Sequence, residues 1–573
     1  MHWEEMNCRP YSRNLTTVRR DGSDLNNRSA AKGMARLLKA MSFRRRKSAG
    51  RAATLRGEEG LETGGGASAV LSRDLEVNLK MLKRVFDRCS DVVFREFVFA
   101  QSENVKLALV YTDGLADKAQ VSDQIMKALA LEVAMAVPGR TITRGESLAF
   151  IKQRGLCVHQ IRETNSVAEI VHAVLSGDTV LIVDGHDSAI INGARGWESR
   201  AITDPEAEPT VRGSRESFVE TLRVNTALVR RRIKTPDLKV EALRIGKVTN
   251  TEVAVAYVEG IARPELVAEV RNRLSRIDID GILETGQVEE MIEDNPWSVF
   301  PTVNHTEKPD RVAAMLLEGR VAIFVDGTPF VLTVPNLFVE YLHASEDYYE
   351  RFIFSSAVRV VRFFSAIVSL VLPSLYIAVV SFHHELLPTT LLLSVAAQRE
   401  AVPYPALVEV LIMEVSFEVL REAGVRLPRP VGQAVSIVGA LVIGEAAVRA
   451  GLVAASTVIV VALTGICSFV LYYSASIAFR LLRFTLMILA ATLGLFGLAS
   501  GLAVIMIHLC ALRSFGVPYL SPVVPTTTSD LKDVVLRAPW SAMLTRPRLV
   551  AGRQKRRKEE SPSHNDDGTH PIS

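Results

Sequence analysis

From Phe363 to Phe382 the chain reads FFSAIVSLVLPSLYIAVVSF, twenty residues without a charge and with only Pro373 to interrupt them. At about 1.5 Å of rise per residue, that run matches the thickness of a hydrocarbon core. Lipid offers the backbone no hydrogen-bond partners, so a helix is the form such a run must take. Gly451 to Tyr473 and Phe484 to Leu512 are further apolar runs, and Val431 to Ala440 and beyond stays uncharged until Glu445. Leu386 to Gln398 is apolar but too short to cross. Phe363 to Leu512 is therefore expected to form an all-α polytopic transmembrane domain of four or five spans. The mean hydropathy of +0.19 and the 48% hydrophobic content come mostly from this half.

One stretch resists simple assignment. Pro405 to Arg421 (PALVEVLIMEVSFEVLR) carries Glu409, Glu414 and Glu418, five and four residues apart and roughly on one side of a helix. A carboxylate in mid-membrane costs about 2.5 to 3.5 kcal/mol on insertion scales. That cost favours an interfacial or re-entrant helix with its acids in water. The other reading is a span whose acids line a cation-accepting cavity, and Arg421, Arg426 and Arg429 lie near as partners. Tyr341 to Arg362, rich in Tyr and Arg, reads as a helix on the membrane surface, and its arginines place the preceding region on the cytoplasmic side. Four spans return the C-terminus to that side, in agreement with the basic run Lys555 to Lys558, whereas a fifth through Glu414 places it outside. Arg449 agrees with four spans; Arg421 to Arg429, Arg480 and Arg483 do not.

Residues 71–340 read as soluble and internally duplicated. VKLALVYTDGLADKAQVSDQIMKAL, from Val105, matches TEVAVAYVEGIARPELVAEVRNRL, from Thr251, as strand, acid-Gly turn and helix. Further on, VAEIVHAVLSGDTVLIVDGHDSAII and RVAAMLLEGRVAIFVDGTPFVLTV each give a helix, a Gly break and a hairpin. In both hairpins Asp-Gly separates two apolar runs, because the turn needs a positive φ where Gly sits. Two similar α/β cytoplasmic subdomains are predicted, at 71–232 and 233–340, with Ser214 to Arg232 as a charged helical connector. The stretch Asn295-Pro296-Trp297 with Phe300-Pro301 predicts an ordered turn with buried aromatics. Residues 1–70 are expected to be a disordered basic tail, 341–362 the juxtamembrane helix and 513–573 a cytoplasmic tail.

Chemistry is hard to find in these residues. Asp184, His186 and Asp187 cluster at a hairpin tip, where turn geometry alone explains them, and no converging ligands make a metal site. LETGGGAS neither follows a strand nor opens a helix, and no GKS or GKT occurs, so a nucleotide site is not indicated. Five scattered cysteines without CxxC suggest neither disulfides nor zinc, and Met1 to Arg20 lacks the pattern of a signal peptide. A net charge of +4 does not call for nucleic acid. No enzyme, cofactor or metal is expected.

The stretch Pro428 to Val448 (PRPVGQAVSIVGALVIGEAAV) is the more informative. Gly432, Ser436, Ala440 and Gly444 recur every four residues and put small side chains along one helical face, where another backbone can approach closely. Such a stripe serves a packing helix or a pore-lining one. Val435, Ser436, Gly439, Val442 and Glu445 are the candidate pore-facing positions: apolar residues gate by dewetting, and an acid at the mouth favours cations.

VEGIARPELVAEVRNRLSRIDIDGILETG, EDNPWSVFPTVNHTEKPDRVAAMLLEGRVAIFVDGTPF, SEDYYERF, LREAGVRLPRPVGQAVSIVGALVIGEAAV and CALRSFGVPYLSPVVP occur here in that order. In them the chain resembles the A-subunit family of bacterial spore germination receptors, the GerA family, from about Leu75 to Pro547. It departs from the family pattern after Ser468, where FVLYYSASIAFR lacks a proline turn, and at Ser214, where the family tends to have proline. The resemblance implies a multi-pass protein of the inner spore membrane. Its expected partners are other copies of itself, a transporter-like B subunit that binds the nutrient, a lipoprotein C subunit, lipid and monovalent cations. In that setting a ring of A subunits forms a nutrient-gated cation channel. The alternatives are an auxiliary paralogue and a scaffold that clusters receptors without conducting; a permease is weaker, since no inverted repeat of broken helices is visible.

Overall fold

The computed structural model describes residues 69–99, 105–132, 144–152, 161–196, 208, 210–427, 444–471, 473–554 and 556–557. Its first half is two copies of one unit. In the first copy, helix α1 (Leu75–Val85) precedes strands β1 (Val92–Val98) and β2 (Lys106–Thr112). The helical segments Gln120–Met126 and Ala128–Glu132 come next, then β3 (Ile161–Thr164), α2 (Val167–Leu175), β4 (Thr179–Val183) and β5 (Ala189–Asn192). The second copy runs α3 (Leu222–Arg230), β6 (Leu238–Ile245), β7 (Thr251–Val258), α4 (Pro264–Ser275), α5 (Thr285–Ile292), β8 (Asn304–Thr306), α6 (Pro309–Leu317), β9 (Val321–Val325) and β10 (Val331–Val334). The two antiparallel sheets have equivalent orders, β1-β2-β4-β5-β3 and β6-β7-β9-β10-β8.

Local chemistry repeats as well. Asn78 in α1 is buried and braces the chain six residues back, accepting from Ser72 N at 2.8 Å and donating to Ser72 O at 2.6 Å. Asn225 in α3 does the same to Val219, at 2.8 and 2.5 Å. Asp184 and Asp326, at the two hairpin tips, each accept the first N–H of their own copy's leading helix, Leu75 N at 3.3 Å and Leu222 N at 3.0 Å. That N–H is one of the unpaired donors every helix start leaves, so the hairpin aspartates act as remote caps. The helix within Ser214 to Arg232, expected as a connector, is therefore the leading helix of the second copy. Phe218, Leu222, Leu228 and Val229 lie in one core with Ala254, Ala256 and Phe324 of the second sheet.

Strand chemistry explains the cores. Along β7, Val253, Val255 and Tyr257 enter the core on one face and Ala254, Ala256 and Val258 that on the other, as period-2 geometry requires of a strand covered on both sides. The copies meet edge to edge through the loop after α1. Val240 N donates to Arg88 O at 3.0 Å and Ser90 N to Val240 O at 2.9 Å. Behind that contact, Arg230 and Asp91 form a two-pronged pair at 2.7 and 2.8 Å, 0% and 1% exposed. Arg230 also donates to Leu238 O at 2.8 Å, so its burial is compensated on several sides.

The second half is helical: α7 (Phe352–Ser381), α8 (Thr389–Glu400), α9 (Ala406–Arg426), α10 (Ala455–Phe469) and α11 (Tyr473–Ala511). Phe352–Ser381 and Ser476–Ala511 are long and apolar enough to cross a membrane, and Ala455–Phe469 is a shorter apolar helix. Three expectations need correction here. The surface helix over Tyr341 to Arg362 is two 3-10 turns, Phe338–Leu342 and Ser345–Tyr348, after which α7 begins at Phe352. The long final span breaks at Gly494, whose φ of 62° and ψ of −140° are non-helical. Past it the chain folds back: a Cβ at Gly497 would strike Leu489 and one at Gly501 would strike Leu486, while Phe300 packs against both Phe479 and His508. Lastly, of the aromatics in the Asn295 to Pro301 turn, Phe300 is buried but Trp297 is 94% exposed.

Candidate functional site

Gly432, Val435, Ser436, Gly439, Ala440 and Val442 lie outside the described residues. The end of their stretch is described. Residues 444–449 are helical; Gly444 is buried where a Cβ would meet Val458 of α10 at 3.5 Å, and Glu445 is exposed and ion-paired with Arg449 one turn on.

The three acids of α9 form a ladder of ion pairs. Glu409, 0% exposed, accepts from Arg399 of α8 at 3.3 Å, from Thr457 Oγ1 at 3.1 Å and from Ala454 N at 3.1 Å. Glu414 meets Arg483 of α11 at 2.6 Å, both 3% exposed. Glu418 pairs with Arg480 and, at 3.5 Å, with Arg421. Arg421 lies over the rings of Phe417 and Phe469 and donates to Ser468 Oγ at 2.8 Å. A carboxylate taken from water must be neutralised or heavily hydrogen-bonded, and each of these is. Glu409 and Glu414 thus face neither water nor an open cation cavity. Of the partners expected, Arg421 pairs with Glu418 and Arg426 pairs instead with Glu422, while Arg429 lies outside the described residues. Arg480 and Arg483, three apart, answer Glu418 and Glu414, four apart, because i,i+3 and i,i+4 positions share a helix face. That complementary spacing was the available signal.

A second charged cluster ties the sheet-bearing half to the helices. Arg359 and Arg362, one turn apart near the start of α7, both donate to Asp347, at 2.9 and 3.0 Å. Arg359 also meets Asp533 of the C-terminal segment at 2.7 Å, and Tyr348 donates to the same carboxylate at 2.9 Å. Burial would raise the Asp347 carboxyl, but the guanidinium groups of Arg362 and Arg359 outweigh it and hold it below the usual range. Beside them His343 hydrogen-bonds Val534 O at 2.7 Å; burial first, then the charge of Arg359, pushes its pKa down to about 3. It is neutral at physiological pH. A cavity of about 540 Å³, lined by Asp310, Glu318, Tyr348, Trp540 and Arg557 among others, opens alongside. One side of the cluster therefore has room in which to rearrange.

The family model for the Bacillus/Clostridium GerA spore germination protein matches residues 80–549. The chain belongs to that family. It is 44% identical over 490 residues to spore germination protein KA of Bacillus subtilis, covering 85% of this chain and 89% of that one. It is also 44% identical over 495 residues to the B. subtilis membrane protein YfkQ, covering 86% and 94%. Spore germination protein B1 of the same organism is 39% identical over 478 residues, covering 83% and 97%. The crystal structure of the N-terminal domain of the A subunit of the Bacillus megaterium spore germinant receptor GerK3 is 36% identical, covering 47% of this chain and 98% of that one, with a TM-score of 0.38.

In this GerA-family chain the acids of the hairpin tip considered for metal are engaged by arginines. Asp184 pairs with Arg144 at 2.6 Å while capping α1, and His186 Nε2 sits 2.9 Å from Arg144 O. Among the described residues no three His, Cys, Asp or Glu side chains converge as a metal would require.

Proposed function

We propose that this chain is the A subunit of a germinant receptor of the inner spore membrane. It oligomerises there and, with a nutrient-binding, transporter-like B subunit and a lipoprotein C subunit, forms a nutrient-gated cation channel. α7, α9, α10 and both arms of α11 cross the membrane in this reading, as does the stretch from Val431 to Val448. The observation that carries it is the ladder. The acids of α9 are neutralised by arginines within one copy, and the small-residue stretch from Val431 to Val448 is read from its sequence pattern as the helix that lines a path between copies. Val435, Ser436, Gly439 and Val442 face that path and Glu445 stands at its mouth. The cluster around Asp347 links movement of the soluble copies to α7.

Spores carrying Val442→Ala should release potassium without nutrient, because a smaller side chain weakens the apolar constriction. Potassium flux is the measurement. Ion release that stays nutrient-dependent and unchanged across small and polar replacements at all five positions would overturn the assignment of this helix. Reconstituted protein that conducts in no assembly state, yet still binds its partners through residues 75–335, would favour the scaffold reading instead.

A further inference from the structure

Trp297 stands at the tip of a loop that is otherwise fixed in place. On one side Asp294 takes Arg273 at 2.7 Å and the N–H of Phe515 at 2.5 Å. At the centre Ser298 Oγ lies 2.9 Å from His508 Nε2, and Phe300 packs against Phe338, Phe479 and His508. On the other side Pro301 O accepts from Tyr519 at 3.0 Å and from Tyr341 at 3.1 Å. The loop thus has little freedom to fold its indole away. It holds the largest apolar side chain available 94% exposed, at the end of the α11 hairpin.

What covers it can be read from the neighbouring helix. The outward face of the second arm of α11 is apolar, with Val504, Met506 and Ile507 all more than half exposed, and that face runs up to His508, the residue Ser298 contacts. Immediately beyond it Arg513 is exposed. An apolar band ending in an aromatic with a polar N–H and then a cation is the order of groups found where hydrocarbon gives way to headgroups. We infer that Trp297 is an interfacial anchor: the second copy of the soluble unit rests on the lipid surface through this indole, seated at headgroup depth beside the base of the hairpin. The inference rests on the membrane reading of α11.

The test uses the full-length chain and its Trp297→Phe variant, reconstituted in phosphatidylcholine vesicles with bromine atoms high or low on the acyl chains. At this exposed position the substitution leaves the core intact, and the difference between the two proteins isolates the emission of Trp297 from that of the other three tryptophans. That difference spectrum should be blue-shifted, resistant to aqueous iodide, and quenched about twofold more strongly by shallow bromines than by deep ones. Emission open to iodide and untouched by bromine, from protein that still floats with the vesicles, would overturn the anchor and leave the membrane reading standing. Protein that fails to float would remove the membrane reading. Shielding from iodide without bromine quenching would mean that another protein surface covers the residue, which also overturns the anchor.

Discussion

The two copies of the sheet-bearing unit share strand order, bracing asparagines and capping aspartates, but they differ in what they touch. The second copy carries contacts to the helical half: Ser298 to His508, Asp294 to Phe515, and Pro301 to Tyr519. The first copy is joined to the second through its α1–β1 loop and the Asp91–Arg230 pair. One fold used twice thus has two different sets of neighbours. The second copy touches the helices, and the first meets the second at a junction that includes buried and exposed ion pairs.

The junction is where this division can be broken most severely. Arg230→Ala leaves Asp91 buried without its partner, and removing one half of a buried pair typically costs about 3 to 5 kcal/mol. Calorimetric unfolding of the purified chain should show the first copy melting separately and earlier. Replacing both residues, as in Asp91→Leu with Arg230→Met, should recover most of the loss, since an apolar pair of similar volume is often neutral. A single-mutant penalty below about 1 kcal/mol would show that the copies are held by something else.

A smaller effect separates the copies by pH. His343 belongs to the cluster on the second copy's side, and burial lowers its pKa from 6.5 to about 3. The unfolded chain takes up a proton that the folded one refuses, so stability is full above about 6.5, falls with pH between about 6.5 and 3, and levels off below. Asp347 acts in the same direction at lower pH: its carboxyl is held low in the fold, so its contribution is present above the unfolded value and is lost as acid protonates it. His343→Gln should remove the loss between pH 6.5 and 4 from the unfolding profile of the cluster. A wild-type profile flat across that interval would sink the assignment of a neutral, buried imidazole.

How far these features could be read from residues alone follows from what each depends on. The duplication was legible because it rests on local signals: two Asp-Gly turns, two strands, VYTDG and VAYVEG, and β4 and β9, which are buried throughout and apolar but for Thr179. The leading helix of the second copy was misjudged because its apolar face shows only against the sheet it covers. The α11 reversal was hidden because an isolated glycine in an apolar run is usually tolerated in a helix, although Gly494 marks the break and Gly497 and Gly501 mark where the two arms come close. Trp297 ran against the expectation that an aromatic beside prolines is core. The pairing of α9 with Arg480 and Arg483 joins residues 62 to 69 positions apart, which only tertiary contact brings together. The small-residue stretch from Val431 lies mostly outside the described residues.

The finest comparison lies in two glycines. Gly177 and Gly319 follow α2 and α6 at equivalent places, with φ of 94° and 100°, and each presses against a carbonyl of the equivalent acid-Gly turn. A Cβ would come within 3.0 Å of Leu115 O in the first copy and 2.9 Å of Ile261 O in the second. Alanine at either site pays the left-handed backbone cost, about 1 to 2 kcal/mol, so the shared part of the penalty should be equal. The second site has one more neighbour: the Cβ would also sit 3.0 Å from the Cα of Ala551 in the C-terminal segment. Gly552 N of that segment donates to Ile261 O, the same carbonyl, at 2.7 Å. Gly319→Ala should therefore cost more than Gly177→Ala and speed amide exchange around residues 549–554, whereas Gly177→Ala should leave that segment protected. Equal exchange in the two variants would mean that the C-terminal segment is not held by the second copy, and the asymmetry between the copies would then rest on the Ser298 loop alone.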